Sequence, residues 1–153
     1  MTTAEQTLVL VKPDGVQRGL IGPIITRLES HGLKIVGMKM MHMKEALARR
    51  HYGIHVGKPF YLGLVNFITS GPIVAMVLEG PKAVEIVRNT MGNTDPSKAT
   101  PGTIRGDLGV DIGRNLIHGS DSTENAKQEI NLFFKKTEIL SYKRDIDKWI
   151  IES

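Results

Sequence analysis

The sequence contains no cysteine among its 153 residues. Disulfide bonds and thiolate metal sites are therefore excluded, which suits a reducing compartment. No apolar run approaches the about 20 residues that a membrane-spanning helix needs. Residues 1–6 are polar and lack the basic start and apolar core of a secretory signal. We therefore expect a cytoplasmic protein with no membrane association.

Aromatic residues are scarce, at 5% of the chain, and lysine and arginine are interspersed with acids rather than clustered. A module that binds single-stranded nucleic acid needs stacking aromatics beside a continuous basic stripe. We therefore expect no dedicated nucleic-acid site, although such a module is one alternative in another functional class. The modest net charge of +4 agrees with a site for small polyanions.

The common phosphate-binding motifs are also missing. Residues 53–59 superficially resemble a P-loop, but the segment is one residue short between its glycines. Pro59 also stands where a magnesium-binding hydroxyl is needed. No G-x-G-x-x-G occurs. If this protein binds a nucleotide, side chains must provide the contacts.

What is present is the composition of an ordinary globular protein, with 41% hydrophobic and 24% charged residues. The length predicts a single domain over residues 1–153. Apolar runs predict strands at 8–11, 33–41, 73–78 and 116–117, and helical spacing predicts helices at 20–31, 44–52, 61–70, 83–91 and after 121. The pair 44–52 and 61–70 predicts an αα-hairpin. By pattern alone, this alternation would suggest a parallel α/β sheet.

Three connecting segments have features of their own. Lys12-Pro13-Asp14-Gly15 has strong turn chemistry after the first strand. Residues 92–114 carry five glycines and two prolines over a length that is typical of functional loops. Residues 135–153 are polar, with Trp149 as their one large anchor, and we expect them to wrap the surface or a neighbouring subunit.

The segment 115–121 places His118 where a short apolar run meets a helix start, and Gly119 would let a ligand approach closely. The next helix has a core stripe that includes Glu129, and a buried carboxylate needs a partner. His118 is an available one. A carboxylate on one imidazole nitrogen leaves the other free as a nucleophile or metal ligand. This segment alone leaves a structural buried histidine equally open.

Several motifs now point to one family. Residues 115–121 match the N-x-x-H-G-S-D signature of nucleoside diphosphate kinases, and the similarity extends over 7–15 (TLVLVKPDG), 103–107 (TIRGD) and on to Trp149. The resemblance implies a ferredoxin-like α+β fold, a split βαβ with a four-stranded antiparallel sheet and helices around it. It also implies transfer of the terminal phosphoryl group from a nucleoside triphosphate to a nucleoside diphosphate. The transfer would be ping-pong, through phosphorylated His118, with broad base specificity.

The resemblance assigns roles around the imidazole. His118 would be the nucleophile, oriented by Glu129 and Ser120, with Tyr52 close by. Lys12 would contact the sugar hydroxyls and the terminal phosphate. These residues are all intact, which argues against the alternative of a catalytically silent relative.

The remaining assignments concern the nucleotide. Asn115 would hold the ribose, and three residues would hold the phosphates: Arg88, Thr94 and Arg105. Phe60 would stack on the base, with Leu64 and Ile112 packing against it. Ile112 stands where valine is more usual in the family, so base packing would differ slightly.

We expect no metal ligands from protein side chains, because no acidic cage is evident and Mg²⁺ would arrive on the nucleotide phosphates. His51 and His55 lie four apart, but no acidic third ligand follows, and we interpret them as structural. The family forms hexamers or tetramers from a shared dimer. Pro96 in the long loop and the extension past Phe134 favour the hexamer.

Overall fold

The computed structural model describes residues 4–152. Four strands form one antiparallel sheet in the order β2-β3-β1-β4: β1 (Glu5–Val11), β2 (Lys34–Met41), β3 (Ile73–Gly80) and β4 (Ile117–Gly119). β1 lies between β3 and β4, and Leu10 pairs with His118. The antiparallel sheet implied by the family resemblance is confirmed, and the parallel sheet suggested by the pattern alone is not.

The helices are α1 (Pro13–Gln17), α2 (Ile21–Ser30), α3 (Glu45–His51), α4 (Tyr61–Ile68), α5 (Ala83–Met91), α6 (Ile104–Leu108) and α7 (Thr123–Phe133). Successive β1 side chains alternate between two buried clusters. Leu8 and Leu10 pack with residues of α3, α4 and α7, whereas Val9 and Val11 pack with residues of α2 and α5. Helices therefore cover both faces of the sheet, and the predicted αα-hairpin is the pair α3 and α4.

The predicted turn at residues 12–15 is instead the start of α1. Pro13 occupies the first helical turn, where its missing N–H is not needed and its fixed φ suits the helix. A Cβ atom on Gly15 would lie 2.8 Å from Val11 Cγ1 and 3.1 Å from the carbonyl oxygen of Leu116. Only glycine permits this approach, so α1 lies tightly against the segment that leads into β4.

The predicted long loop at residues 92–114 contains α6 and two single-turn 3₁₀ helices, Pro96–Lys98 and Ile112–Arg114. Each of the three begins with a side chain that accepts a backbone N–H: Asp95 caps Pro96–Lys98, Thr103 caps α6 and Asp111 caps Ile112–Arg114. Such caps satisfy the free donors at a helix start. The sequence did not predict these three helices, because glycine and proline are frequent in the segment.

The segment after α7 crosses the start of β2. The Arg144 guanidinium donates to the carbonyls of Gly32 and Leu33, and Leu140 N donates to the carbonyl of Val36. Trp149 is 81% exposed, so on its own chain it is not the anchor that the sequence suggested. Within residues 4–152, no helix combines the length and the apolarity needed to cross a bilayer.

Candidate active site

His118 lies in the middle of β4, rather than at the strand-to-helix junction expected from the sequence. Its Nε2 donates to Glu129 Oε1 at 2.9 Å, and Ser120 Oγ donates to the same oxygen at 2.7 Å. Glu129 projects from α7, whose start is capped by the Ser122 hydroxyl. With Nε2 engaged by a carboxylate, a neutral ring keeps the lone pair on Nδ1.

The carboxylate of Glu129 is held in its ionised form. Burial raises its pKa, but hydrogen bonds from His118 and Ser120, together with the nearby imidazoles, outweigh that effect and lower the pKa below its usual value. The side chains of His118 and Glu129 are 27% and 17% exposed. The pair is thus shielded from bulk water while the imidazole remains accessible from one side.

Lys12 and Asn115 form a second part of the site. Lys12 directly follows β1, and Asn115 lies just before β4. Lys12 Nζ donates to Asn115 Oδ1 at 2.6 Å, and Asn115 Nδ2 donates to the carbonyl of Thr94 at 3.0 Å. Burial lowers the pKa of Lys12 to about 8, while Asp14 acts to raise it and Arg105 and Arg114 lower it further. A nearby anion would therefore stabilise the ammonium.

Arg105 is directed inward from α6 and is 4% exposed. Its guanidinium donates to the carbonyls of Asn115, Gly92 and Ile117 at 3.1, 3.3 and 2.6 Å. Burial first, and then repulsion from Arg88, lower its pKa to about 10. In this structure Arg105 holds the backbone around β4, and its predicted contact with phosphate stays a prediction.

Arg88 and Thr94 lie more openly at the surface. Arg88 NH1 donates to the carbonyl of Gly119, the residue after His118, at 3.3 Å. Both residues line one open depression together with Thr103. The depression therefore offers polar side chains to an anion.

The three residues predicted to hold a base lie around α4 and the turn 112–114. Phe60 is 49% exposed and Ile112 is 58% exposed, whereas Leu64 is half-buried. The Arg114 guanidinium and Lys12 Nζ lie 4.2 and 5.5 Å from the centre of the Phe67 ring. Phe67 follows Leu64 on the same face of α4, so the exposed apolar side chains border the cationic side chains.

His51, the last residue of α3, lies against the imidazole, and Tyr52 packs on His51. The His51 ring centre lies 4.8 Å from that of His118 and 4.7 Å from that of Tyr52. Burial raises the pKa of Tyr52 to about 12 and lowers that of His51 to about 3. The interpretation of His51 as structural missed this contact, because the spacing of an αα-hairpin does not show which end meets β4.

Within the described residues, the one grouping with metal-ligand composition is His51, His118 and Glu129, with ligand atoms within 4.8 Å of one another. Its carboxylate oxygen already accepts two hydrogen bonds. Mg²⁺ prefers oxygen ligands, and this set is mainly nitrogen. The donor set therefore suits a histidine held by a carboxylate better than a magnesium site.

Comparisons with known proteins identify one family. A family model for nucleoside diphosphate kinase matches residues 5–139. A nucleoside diphosphate kinase of Desulforamulus reducens is 61% identical over 97% of this chain and 99% of its own length. One of Roseiflexus castenholzii is 57% identical over the same shares.

Solved structures show the same similarity. The halophilic nucleoside diphosphate kinase of Halobacterium salinarum, solved in complex with CDP, has a TM-score of 0.95 and 56% identity, covering 98% of this chain and all of that one. A family protein from Babesia bovis has a TM-score of 0.94 and 44% identity, with 96% and 99% coverage. The chain belongs to the nucleoside diphosphate kinase family and is an enzyme that transfers a phosphoryl group between nucleotides.

Proposed function

We propose that the enzyme transfers the terminal phosphoryl group of a nucleoside triphosphate to a nucleoside diphosphate in two half-reactions, through a phosphohistidine on His118. The observation that carries this proposal is the bond between His118 Nε2 and Glu129, which leaves Nδ1 as the free nitrogen. In the first half-reaction, the Nδ1 lone pair attacks the γ-phosphorus, a P–N bond forms and the bond to the β-phosphate oxygen breaks. In the second, a terminal oxygen of a new diphosphate attacks, and the P–N bond breaks.

Glu129 and Ser120 orient the ring for both half-reactions. As phosphorus bonds to Nδ1, positive charge develops on the imidazole, and the carboxylate stabilises the N–H at Nε2. A diphosphate is already ionised and nucleophilic, so no separate general base is required. The phenol of Tyr52 keeps its proton, because burial and the charge of Glu129 raise its pKa to about 12, so Tyr52 is available as a hydrogen-bond donor.

The positive groups bind the phosphates and stabilise the charge of the transition state. Arg88 and Thr94 have free polar atoms beside β4, and Lys12 is exposed enough for contact with the terminal phosphate. Arg105 contributes its charge from beneath the site. The Asn115 amide, already directed toward Lys12, would hold the ribose.

Base binding is proposed to be stacking without recognition of the base edge. Phe60, Leu64 and Ile112 are apolar, and stacking accepts any base because every base has a π-face. The solved relative from Halobacterium salinarum binds CDP, which supports a nucleotide site in this fold. Broad base specificity follows.

A kinase of this family generally needs a divalent metal, and we propose Mg²⁺ held by the nucleotide phosphates rather than by protein carboxylates. When bound, it neutralises phosphate charge during transfer. The chain's own cations, Lys12, Arg88 and Arg105, then position the phosphates around it.

We further propose a homo-oligomer, with a hexamer favoured over a tetramer, in the cytoplasm. Support comes from the edge strand β2, where Met38 and Met40 are exposed beyond the point at which Leu140 bonds the Val36 carbonyl. An exposed apolar edge strand favours pairing with another copy. Leu140 and Trp149 add exposed apolar side chains in the segment after α7.

The test is incubation with γ-labelled ATP and Mg²⁺, followed by isolation of the protein. We expect label on the protein that is lost in acid, as phosphohistidine is, and that passes to any added nucleoside diphosphate. His118→Ala should carry no label. Label on a serine, or transfer that continues without any labelled protein, would overturn the mechanism.

A further inference from the structure

Asp14, in the first turn of α1, is buried and has no part in the mechanism above. Its Oδ2 accepts the backbone N–H of Leu116 at 2.9 Å, across 102 positions of sequence. Its Oδ1 is buried and has no hydrogen-bond partner among the described residues. One carboxylate oxygen is enough to accept the Leu116 N–H, so the burial of Oδ1 without a partner needs an explanation.

The Leu116 bond fixes an unfavourable backbone conformation. Leu116 has φ of 75°, in the left-handed region that side chains such as leucine rarely adopt. The Leu116 carbonyl also accepts the N–H of Lys12 at 2.9 Å. Main-chain bonds on both sides thus hold this residue, which lies between Asn115 and the strand that carries His118.

The charge of Asp14 acts on two cations of the site. Lys12 and Arg105 form no salt bridge among the described residues, and both are desolvated. Burial lowers the pKa of Lys12 to about 8 and that of Arg105 to about 10, and for both groups Asp14 acts in the opposite direction.

The other charged or titratable groups around Lys12 are Arg105 from α6, Arg114 from the turn 112–114 and His51 from α3. The two arginines lower the pKa of Lys12. Burial keeps His51 neutral, because it lowers its pKa to about 3. Asp14 is therefore the negative group that opposes burial and the arginines at Lys12.

We propose that Asp14 is a positioning residue for phosphotransfer. One carboxylate oxygen fixes the backbone at Leu116, and the negative charge lies beside Lys12, whose own backbone N–H donates to the carbonyl of the same Leu116. The second role rests on the proposed contact of Lys12 with the terminal phosphate. The two roles are separable, because an amide can accept the Leu116 N–H but carries no charge.

Asp14→Asn tests the charge. The pH dependence of kcat/KM reports the free enzyme, so it follows the ionisation of Lys12 before nucleotide binds. Without Asp14 the pKa of Lys12 falls further, and the ammonium is lost at lower pH. We expect kcat/KM within about threefold of the wild type at pH 6.5 and about five- to tenfold lower at pH 8.5, on the scale of tenfold per pKa unit. A uniform loss at every pH would overturn the charge role.

Three further variants distinguish the charge role of Asp14 from its backbone role. In a Lys12→Gln background, adding Asp14→Asn should produce no pH-dependent change, because the titrating group is gone. Asp14→Ala removes the acceptor as well, so kcat/KM should fall by about tenfold or more at all pH values, including pH 6.5. Equal values for the Ala and Asn variants at pH 6.5 would overturn the backbone role. Asp147→Asn is the control, since Asp147 also accepts a backbone N–H and a guanidinium, both from Arg144 in the C-terminal segment.

A binding measurement separates this inference from the proposed function. The Kd of ADP should show the same shift with pH in Asp14→Asn, and it does not depend on phosphohistidine formation. If wild-type protein forms no phosphohistidine, the proposed mechanism fails. If it does form, and the ADP affinity of the variant follows the wild-type pH profile, the charge role of Asp14 fails alone.

Discussion

Replacing Glu129 by glutamine keeps the shape of the side chain and removes its charge. Glu129 Oε1 accepts two hydrogen bonds, from His118 at 2.9 Å and Ser120 at 2.7 Å, in a largely shielded position. A hydrogen bond to a charged group is worth about 1.5–3 kcal/mol, against about 0.5–1.5 kcal/mol between neutral groups. With two bonds, and positive charge growing on the ring, we expect a loss of about 1.4–4 kcal/mol in the transition state. That is a decrease of about tenfold to a thousandfold in rate.

The assay is single-turnover formation of phosphoenzyme from γ-labelled ATP, measured by rapid quench at saturating nucleotide. Saturation separates the chemical step from binding. Glu124→Gln is the matched control, because Glu124 lies exposed in the first turn of the same helix, and its rate should equal that of the wild type. An unchanged rate in Glu129→Gln would refute the reasoning and leave Glu129 as a core-facing structural acid.

Three other changes have defined outcomes. His118→Ala should fold with an unchanged circular dichroism spectrum and transfer no phosphoryl group, because both ring nitrogens of the neighbouring His51 are buried and out of reach of a phosphate; retained turnover would contradict this. The diphosphates of adenine, guanine, cytosine and uracil should have kcat/KM values within about one to two orders of magnitude of one another. Phe60→Ala should lower all four kcat/KM values and reduce the ratio of purine to pyrimidine values. A preference for one base beyond about ten-thousandfold would show that the site hydrogen-bonds the edge of that base. Gly119→Ala would place a Cβ 2.5 Å from Met91 Sδ and 2.8 Å from Val87 Cγ1, and urea unfolding should show a loss of about 1–3 kcal/mol; full stability would show that α5 can shift.

Much of the local structure could be predicted from the sequence. The stripe on α7, with Glu129 among Ala126, Ile130 and Phe133, predicted both the buried face and the need for a partner for the carboxylate, and His118 is that partner. Gly92 was predicted to end α5, and it does so with φ of 86°. These features follow from the spacing of nearby residues, which the sequence contains directly.

Other features were predicted wrongly, because the same short sequence can form more than one local structure. Lys-Pro-Asp-Gly fits a turn and fits the first turn of a helix equally well, and close packing of Gly15 on Leu116 decides for the helix. Asp14 therefore looked like a turn residue, although its bond lies 102 positions away. His51 likewise gave no local sign that its ring would meet His118.

The sequence by itself determined where most strands and helices form and which residues are candidates for the chemistry, because periodicity, caps and side-chain type act over a few neighbouring positions. The tertiary structure alone decided how distant pieces combine. It pairs β1 with both β3 and β4, brings Lys12 to Asn115 across 103 positions, and turns Arg105 inward onto backbone carbonyls. The physical reason is that burial and desolvation, which set the pKa of Lys12 and hold the ring of His118, exist only after segments far apart in the chain have packed together.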